Sequence, residues 1–354
     1  MVSDEVADAV AQALTVAPIG QNRPAPTDAG AIDLYLRGRA QLRAFGPEAM
    51  ERAVKYLEEA HARAPDEPTL LAALARAQAR SYFFRTDPAW IEQVLALAER
   101  AVAAAPEHGD ALLALAQVRF ARGDYPEAAE RVRSAIRRSP FLAEAYELLG
   151  RIRLEAGPLD QAITAMERAL ALDPLLQTAR FELAKAKGLH GDFAKAHELL
   201  ASIPEADRAG RAPFVMRLTS WSGNTAAWLD VMPVESAPDP SATGALIRYL
   251  VATVVSGRVD REVIDRVMAM ANQNRPPRFR LLMLQLAAEF GVRAGASEDA
   301  LHRIESAIDI GLMDLVWLDH CPLLAPLRSD PRFPGLRALV DHRTRPIREI
   351  LDRP

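Results

Sequence analysis

Apolar residues along this chain recur three and four positions apart, and prolines interrupt them at a fixed distance. That spacing predicts helices, because a strand would alternate with period two. Ala105-Pro106, Ser139-Pro140 and Asp173-Pro174 each follow a helical stretch, with the prolines 34 residues apart, and Ala64-Pro65 precedes them by 41. In the frame ending at Pro140, Leu112, Leu115 and Ala116 face inward on a first helix, Gly123-Asp124-Tyr125 makes a turn, and Ala128, Val132 and Ala135 line a second helix. The next frame runs Tyr146, Leu149-Gly150, Gly157, Ala162, Met166, Ala169 and Pro174. A third gives Leu183-Ala184, Gly191-Asp192-Phe193, Ala196 and Leu200, then loses its closing proline. The one β-branched cluster of note, Val251 to Val255, has neighbours Leu246, Ile247 and Leu250 at helical spacing.

Glycine or alanine at the eighth position and alanine at the twentieth let paired helices approach closely. Glycine ends the first helix because a left-handed cap costs it least, and proline closes the second because it cannot continue a helix. A 34-residue helix-turn-helix unit with these residues resembles the tetratricopeptide repeat family. The resemblance implies an all-α, right-handed superhelical solenoid. Two irregular frames lie upstream: Leu34, Gly38, Ala53, Leu57, Ala60 and Pro65 fit with three extra residues in the turn Arg43 to Met50, and Leu71, Leu74, Ala98, Ala101 and Pro106 fit with seven extra around Tyr82 to Pro88. Loops absorb such insertions at little cost. Tyr82-Phe83-Phe84 in the second insertion either caps the longer turn or binds a partner.

Beyond Pro204 the period fades while helical amphipathicity persists. Three degenerate pairs are expected: Pro213 to Trp221 with Thr225 to Val231, Ala242 to Ser256 with Arg261 to Asn272, and Arg278 to Ala294 with Glu298 to Ile310. Pro233 to Pro240 and Asn272 to Pro277 read as linkers, and Leu315 to Leu339 as a cap over the last exposed helix face. The expected organisation is a short helix and linker over 1–30, five repeats over 31–208, degenerate pairs over 209–310 and a cap over 311–354. Asp33-Leu34-Tyr35-Leu36-Arg37-Gly38-Arg39 after the short helix Asp4 to Leu14, and Val316-Trp317-Leu318 with Pro322 to Phe333, are similar to both ends of repeat regions in bacterial signalling proteins. There such repeats follow a protein kinase, a class III nucleotide cyclase or a winged-helix regulator, so this resemblance implies a regulatory, partner-sensing role. A stand-alone adaptor or scaffold is the alternative.

Composition narrows the chemistry. The net charge of -4 gives no sequence-wide attraction to nucleic acid or anionic membranes, and a single cysteine, Cys321, excludes an internal disulfide and a multi-thiolate metal site. The first residues lack an export-signal pattern, and the longest uncharged stretch, Ala9 to Asn22, is too short to span a bilayer, so a cytoplasmic location is expected. No phosphate-binding glycine motif is present. His197-Glu198 has Ala201 in place of a second zinc-protease histidine, and Asp319-His320-Cys321 fits a packed cap better than a nucleophile, since adjacent side chains diverge. No catalytic residue, metal or cofactor is expected.

The remaining candidate is a binding surface. The repeat resemblance implies a concave face built from the first helices, chiefly their second, fifth, ninth, twelfth and thirteenth positions. Carried onto this chain, the groove is expected to contain Tyr35, Arg39, Arg43, Arg76, Arg80, Leu113, Gln117, Phe120, Glu147, Arg151, Leu154, Phe181 and Lys185. Six are basic and one acidic, which suits an extended acidic peptide held by two-pronged arginine bonds, or else a solvated arginine-rich helix face. Asparagine is absent from all five repeats, which sets aside the paired asparagines and lysines of arrays that hold chaperone tails.

Overall fold

The computed structural model describes residues 28–203, 208–223 and 260–353. The short helix expected over Asp4 to Leu14, the helices expected over 225–231 and 242–256, and the linker 233–240 lie outside them. All regular structure among the described residues is helical.

Ten helices form five consecutive pairs. They are α1 (Ala29–Arg43) with α2 (Pro47–Arg63), α3 (Pro68–Ser81) with α4 (Trp90–Ala104), α5 (Gly109–Arg122) with α6 (Tyr125–Arg138), α7 (Ala143–Ala156) with α8 (Leu159–Leu172), and α9 (Gln177–Leu189) with α10 (Phe193–Ala201). The closing prolines act on the residue before them. Ala64, Ala105, Ser139 and Asp173 share φ values of -144°, -146°, -137° and -139°, outside the helical region that a following proline disfavours. Gly123 ends α5 in the left-handed conformation at φ 103°, as the sequence pattern requires.

Alanine lines the seams. Ala128, Ala162 and Ala196, spaced by one repeat, are fully buried. The eighth position faces a larger neighbour: a Cβ at Gly150 would lie 2.8 Å from Met166 Cε, and one at Gly38 would lie 2.5 Å from Leu57 Cγ. These glycines therefore make room for a bulky residue on the second helix, four residues beyond the alanine in the case of Met166.

Downstream follow α11 (Arg208–Trp221), α12 (Arg261–Asn272), α13 (Pro277–Arg293), α14 (Ser297–Asp309), α15 (Leu315–His320), a 3-10 segment over Pro322–Ser329, and α16 (Phe333–Leu351). α13 and α14 form the expected third downstream pair. The terminal segment departs from expectation. α15 lies on α7 and α9, and α16 packs on α6 and α7 as well as on α14. Arg133 donates to the carbonyls of Ile350 and Arg353, and Arg153 pairs with Asp352 at 2.7 Å. The tail thus returns to the middle of the array instead of only covering its last helix.

A buried carboxylate joins α11, α13 and α15. Glu289 accepts from Arg217 Nη2 at 2.6 Å, Trp221 Nε1 at 3.1 Å and Trp317 Nε1 at 2.7 Å, with Cys321 Sγ 3.8 Å away. Burial, and then Glu289, push the Cys321 thiol well above its ordinary pKa. Asp319, next to this thiol in sequence, is held by Arg337 at 2.6 Å.

Candidate functional site

The first helices α1, α3, α5, α7 and α9 form one wall; α15 stands against α7 and α9, and α13 reaches the wall through Arg278, which pairs with Glu155 of α7. A cavity of ≈ 370 Å³ remains between them. The two loop insertions supply much of its lining, because their aromatic residues turn inward. Phe45, from the insertion after α1, sits 4.9 Å from Phe181 and 5.7 Å from Phe214 by ring centroids. In the second insertion Tyr82 caps the turn by donating to the Pro88 carbonyl, and Tyr82, Phe83 and Phe84 all line the cavity, Phe83 lying 5.6 Å from Phe279. Arg275 secures the insertion by donating to the Phe84 carbonyl at 2.7 Å.

The residues expected to form a basic groove do converge on this side of the array, but their charges are occupied. Arg39 pairs with Glu144 at 3.2 Å and lies beside the Tyr35 hydroxyl at 3.4 Å. Arg43 pairs with Asp173 at 2.7 Å, and Arg76 with Glu144 at 2.9 Å and Asp110 at 3.4 Å. Arg80 donates to the carbonyls of Leu42 and Ala44 and to Thr178. Arg151 stands 3.5 Å from Glu147 and 3.8 Å from Glu182, with its guanidinium 4.9 Å from the Phe120 ring centre. Lys185 reaches Asp314 at 3.4 Å. Burial alone would raise the Glu144 carboxyl, yet Arg76 and Arg39 outweigh it and hold that pKa at about 2.

An open stripe of free cations is thus not what the chain presents. The carboxylates that neutralise it include Asp110 and Glu144, which occupy the second position of their first helices. That position belongs to the same face as the arginines, so the signal was present in the repeat register. Asp173, Glu182 and Asp314 fall outside the register and carry no such signal. Phe181 and Glu147 are fully buried, Phe120 and Gln117 nearly so, and of these Phe120 and Gln117 line the cavity together with Arg80, Arg151 and Lys185. Leu113 and Leu154 are buried in the core. Among the described residues no group of three or more His, Cys, Asp or Glu is placed to hold a metal ion, and no helix is long and apolar enough to cross a membrane.

Residues 91–152 match the tetratricopeptide repeat family model. A comparison with curated proteins finds no match. Among solved structures, a thermophilic tetratricopeptide repeat protein of Thermus thermophilus is 20% identical, with 52% of this chain and 99% of that chain covered and a TM-score of 0.42. A tetratricopeptide repeat protein of Parabacteroides merdae is 13% identical over 88% of this chain and 99% of that one, with a TM-score of 0.38. Yeast Tom70 is 14% identical over 90% of this chain and 69% of that one, with a TM-score of 0.39. The matched stretch runs from α4 into α7.

Proposed function

We propose that this chain is a non-catalytic module that binds a protein or peptide partner and serves as the cytoplasmic, partner-sensing part of a bacterial signalling protein. The cavity carries this reading. It is walled by Phe45, Phe84, Phe279 and Met283, and the charged groups around it are engaged with one another instead of being poised for proton transfer or nucleophilic attack. An apolar side chain of a partner that enters it gains about 1.5–3 kcal/mol from burial. The likeness of both chain ends to signalling proteins supports the regulatory role. Because the cations are paired internally, the partner's anchor need not be acidic.

One observation favours the adaptor reading. Phe141 and Leu175, 76% and 61% exposed, occupy the same place after the closing prolines of consecutive repeats, and a second protein resting on that rim would cover both. Peptide display against the whole chain separates the readings. Enrichment should disappear in Ala121→Phe, which fills the cavity, and persist in the double variant Phe141→Ser, Leu175→Ser, with melting temperatures near the parent for each. The opposite pattern rejects the cavity and moves binding to the rim.

A further inference from the structure

Among the polar residues of the cavity wall, one repeat position recurs. Gln117, Arg151 and Lys185 occupy the same position of three successive first helices, 34 residues apart, and all three line it. Arg151 and Lys185 have carboxylate neighbours. Arg151 Nε also lacks a hydrogen-bond partner, but Gln117 is wholly unpaired: it is 3% exposed, and neither Oε1 nor Nε2 has a hydrogen-bond partner. An unpaired buried amide is costly, so such a group at a cavity wall marks a place where something else completes it.

The chemistry of that complement follows from the rest of the lining. A carboxamide with a free acceptor beside a free donor matches another amide edge, which offers a donor and an acceptor in the reverse order. The cations of the wall are already answered: Arg278 by Glu155, Lys185 by Asp314, Arg217 by Glu289, and Arg151 by Glu147 and Glu182. Arg80 is held by two backbone carbonyls and Thr178. A charged ligand would lose its hydration and find no free counter-charge. Aromatic rings, Phe45, Phe83, Phe84 and Phe279 among them, form much of the apolar lining and favour a flat body with offset or edge-on contacts. A volume of ≈ 370 Å³ lies within the range of small-molecule sites.

We infer that the cavity takes a small, uncharged, planar group carrying an amide edge, read by the Gln117 carboxamide. The inference rests on the reading of the cavity as the recognition site. The same edge exists on a free aromatic amide and on a peptide.

Three monosubstituted benzenes test it on the whole chain by ligand-observed NMR titration: benzamide, its charged isostere benzoate, and apolar toluene. Benzamide should bind about tenfold or more tighter than either, since two net hydrogen bonds separate it from toluene. Gln117→Leu should erase that preference, keep toluene binding and leave the melting temperature at or above that of the parent. Equal affinity for the three probes, or an unchanged order in Gln117→Leu, overturns the inference while the cavity stands as a binding site. Failure of all three to bind removes the cavity itself, and the inference with it. Acetyl-phenylalaninamide distinguishes the sources: competition with benzamide assigns the edge to a peptide, and its absence assigns it to a free small molecule.

Discussion

The middle of the array and the helices after it are held together in opposite ways. Between α5 and α8 the helices meet on fully buried alanines such as Ala128, Ala135, Ala162 and Ala169, so each seam contributes a similar small share. In the downstream region one carboxylate, Glu289 on α13, receives donors from two other helices, α11 and α15, and is itself 1% exposed. Distributed apolar seams tolerate local damage, because neighbouring repeats remain packed. A single charged hub does not, since its partners are buried beside it.

The largest effect expected from this difference is at the hub. Glu289→Ala leaves Arg217 buried without its counter-charge and should cost about 3–5 kcal/mol, read as a fall in the denaturant midpoint. A loss below about 1 kcal/mol would mean that water replaces the carboxylate and that the hub is no keystone. Next comes the seam. Ala162→Leu forces extra methylenes against a packed helix and should cost roughly 1–3 kcal/mol, while Leu at the exposed neighbour Gln161 should leave the melting temperature unchanged. Equal melting temperatures for the two variants would break the assigned frame.

The smallest effect appears only on acidification. The Glu144 carboxyl has its pKa lowered from 4.5 to about 2, so the folded state favours its ionised form. Its contribution is complete above about pH 4.5 and disappears as pH falls through about 2. The stability gap between the parent and Glu144→Gln should therefore be full near neutrality and close across that interval. A gap that is independent of pH would show that Arg39 and Arg76 do not act on this carboxyl.

The same contrast explains what the sequence made legible. The pairs α5–α6, α7–α8 and α9–α10 were readable because proline, glycine and alanine act locally, each fixing a turn or a close approach within one repeat. The expected Arg278 to Ala294 and Glu298 to Ile310 agree with α13 and α14 to within a residue at each end, again through local amphipathicity. The Glu289 hub was not readable, since its donors at Arg217, Trp221 and Trp317 are far apart in sequence and follow no period. For the site, the register placed the arginines on one side, and the same register held Asp110 and Glu144 that neutralise them. The inward turn of Phe45 and Phe83 had no local cause, because it depends on α11 and α13 arriving opposite.

Some of those arginine contacts also join parts of the array that an open superhelix keeps separate. Arg39 reaches Glu144 across 105 positions, Arg43 reaches Asp173 across 130, and Arg80 reaches Thr178 across 98. A stack of repeats touching only its neighbours stretches under tension like a spring, opening a little at every joint. Here the struts across the interior bear the load first. Pulled from its ends, this chain should resist with little extension, then yield abruptly as the struts part, and only afterwards lengthen repeat by repeat.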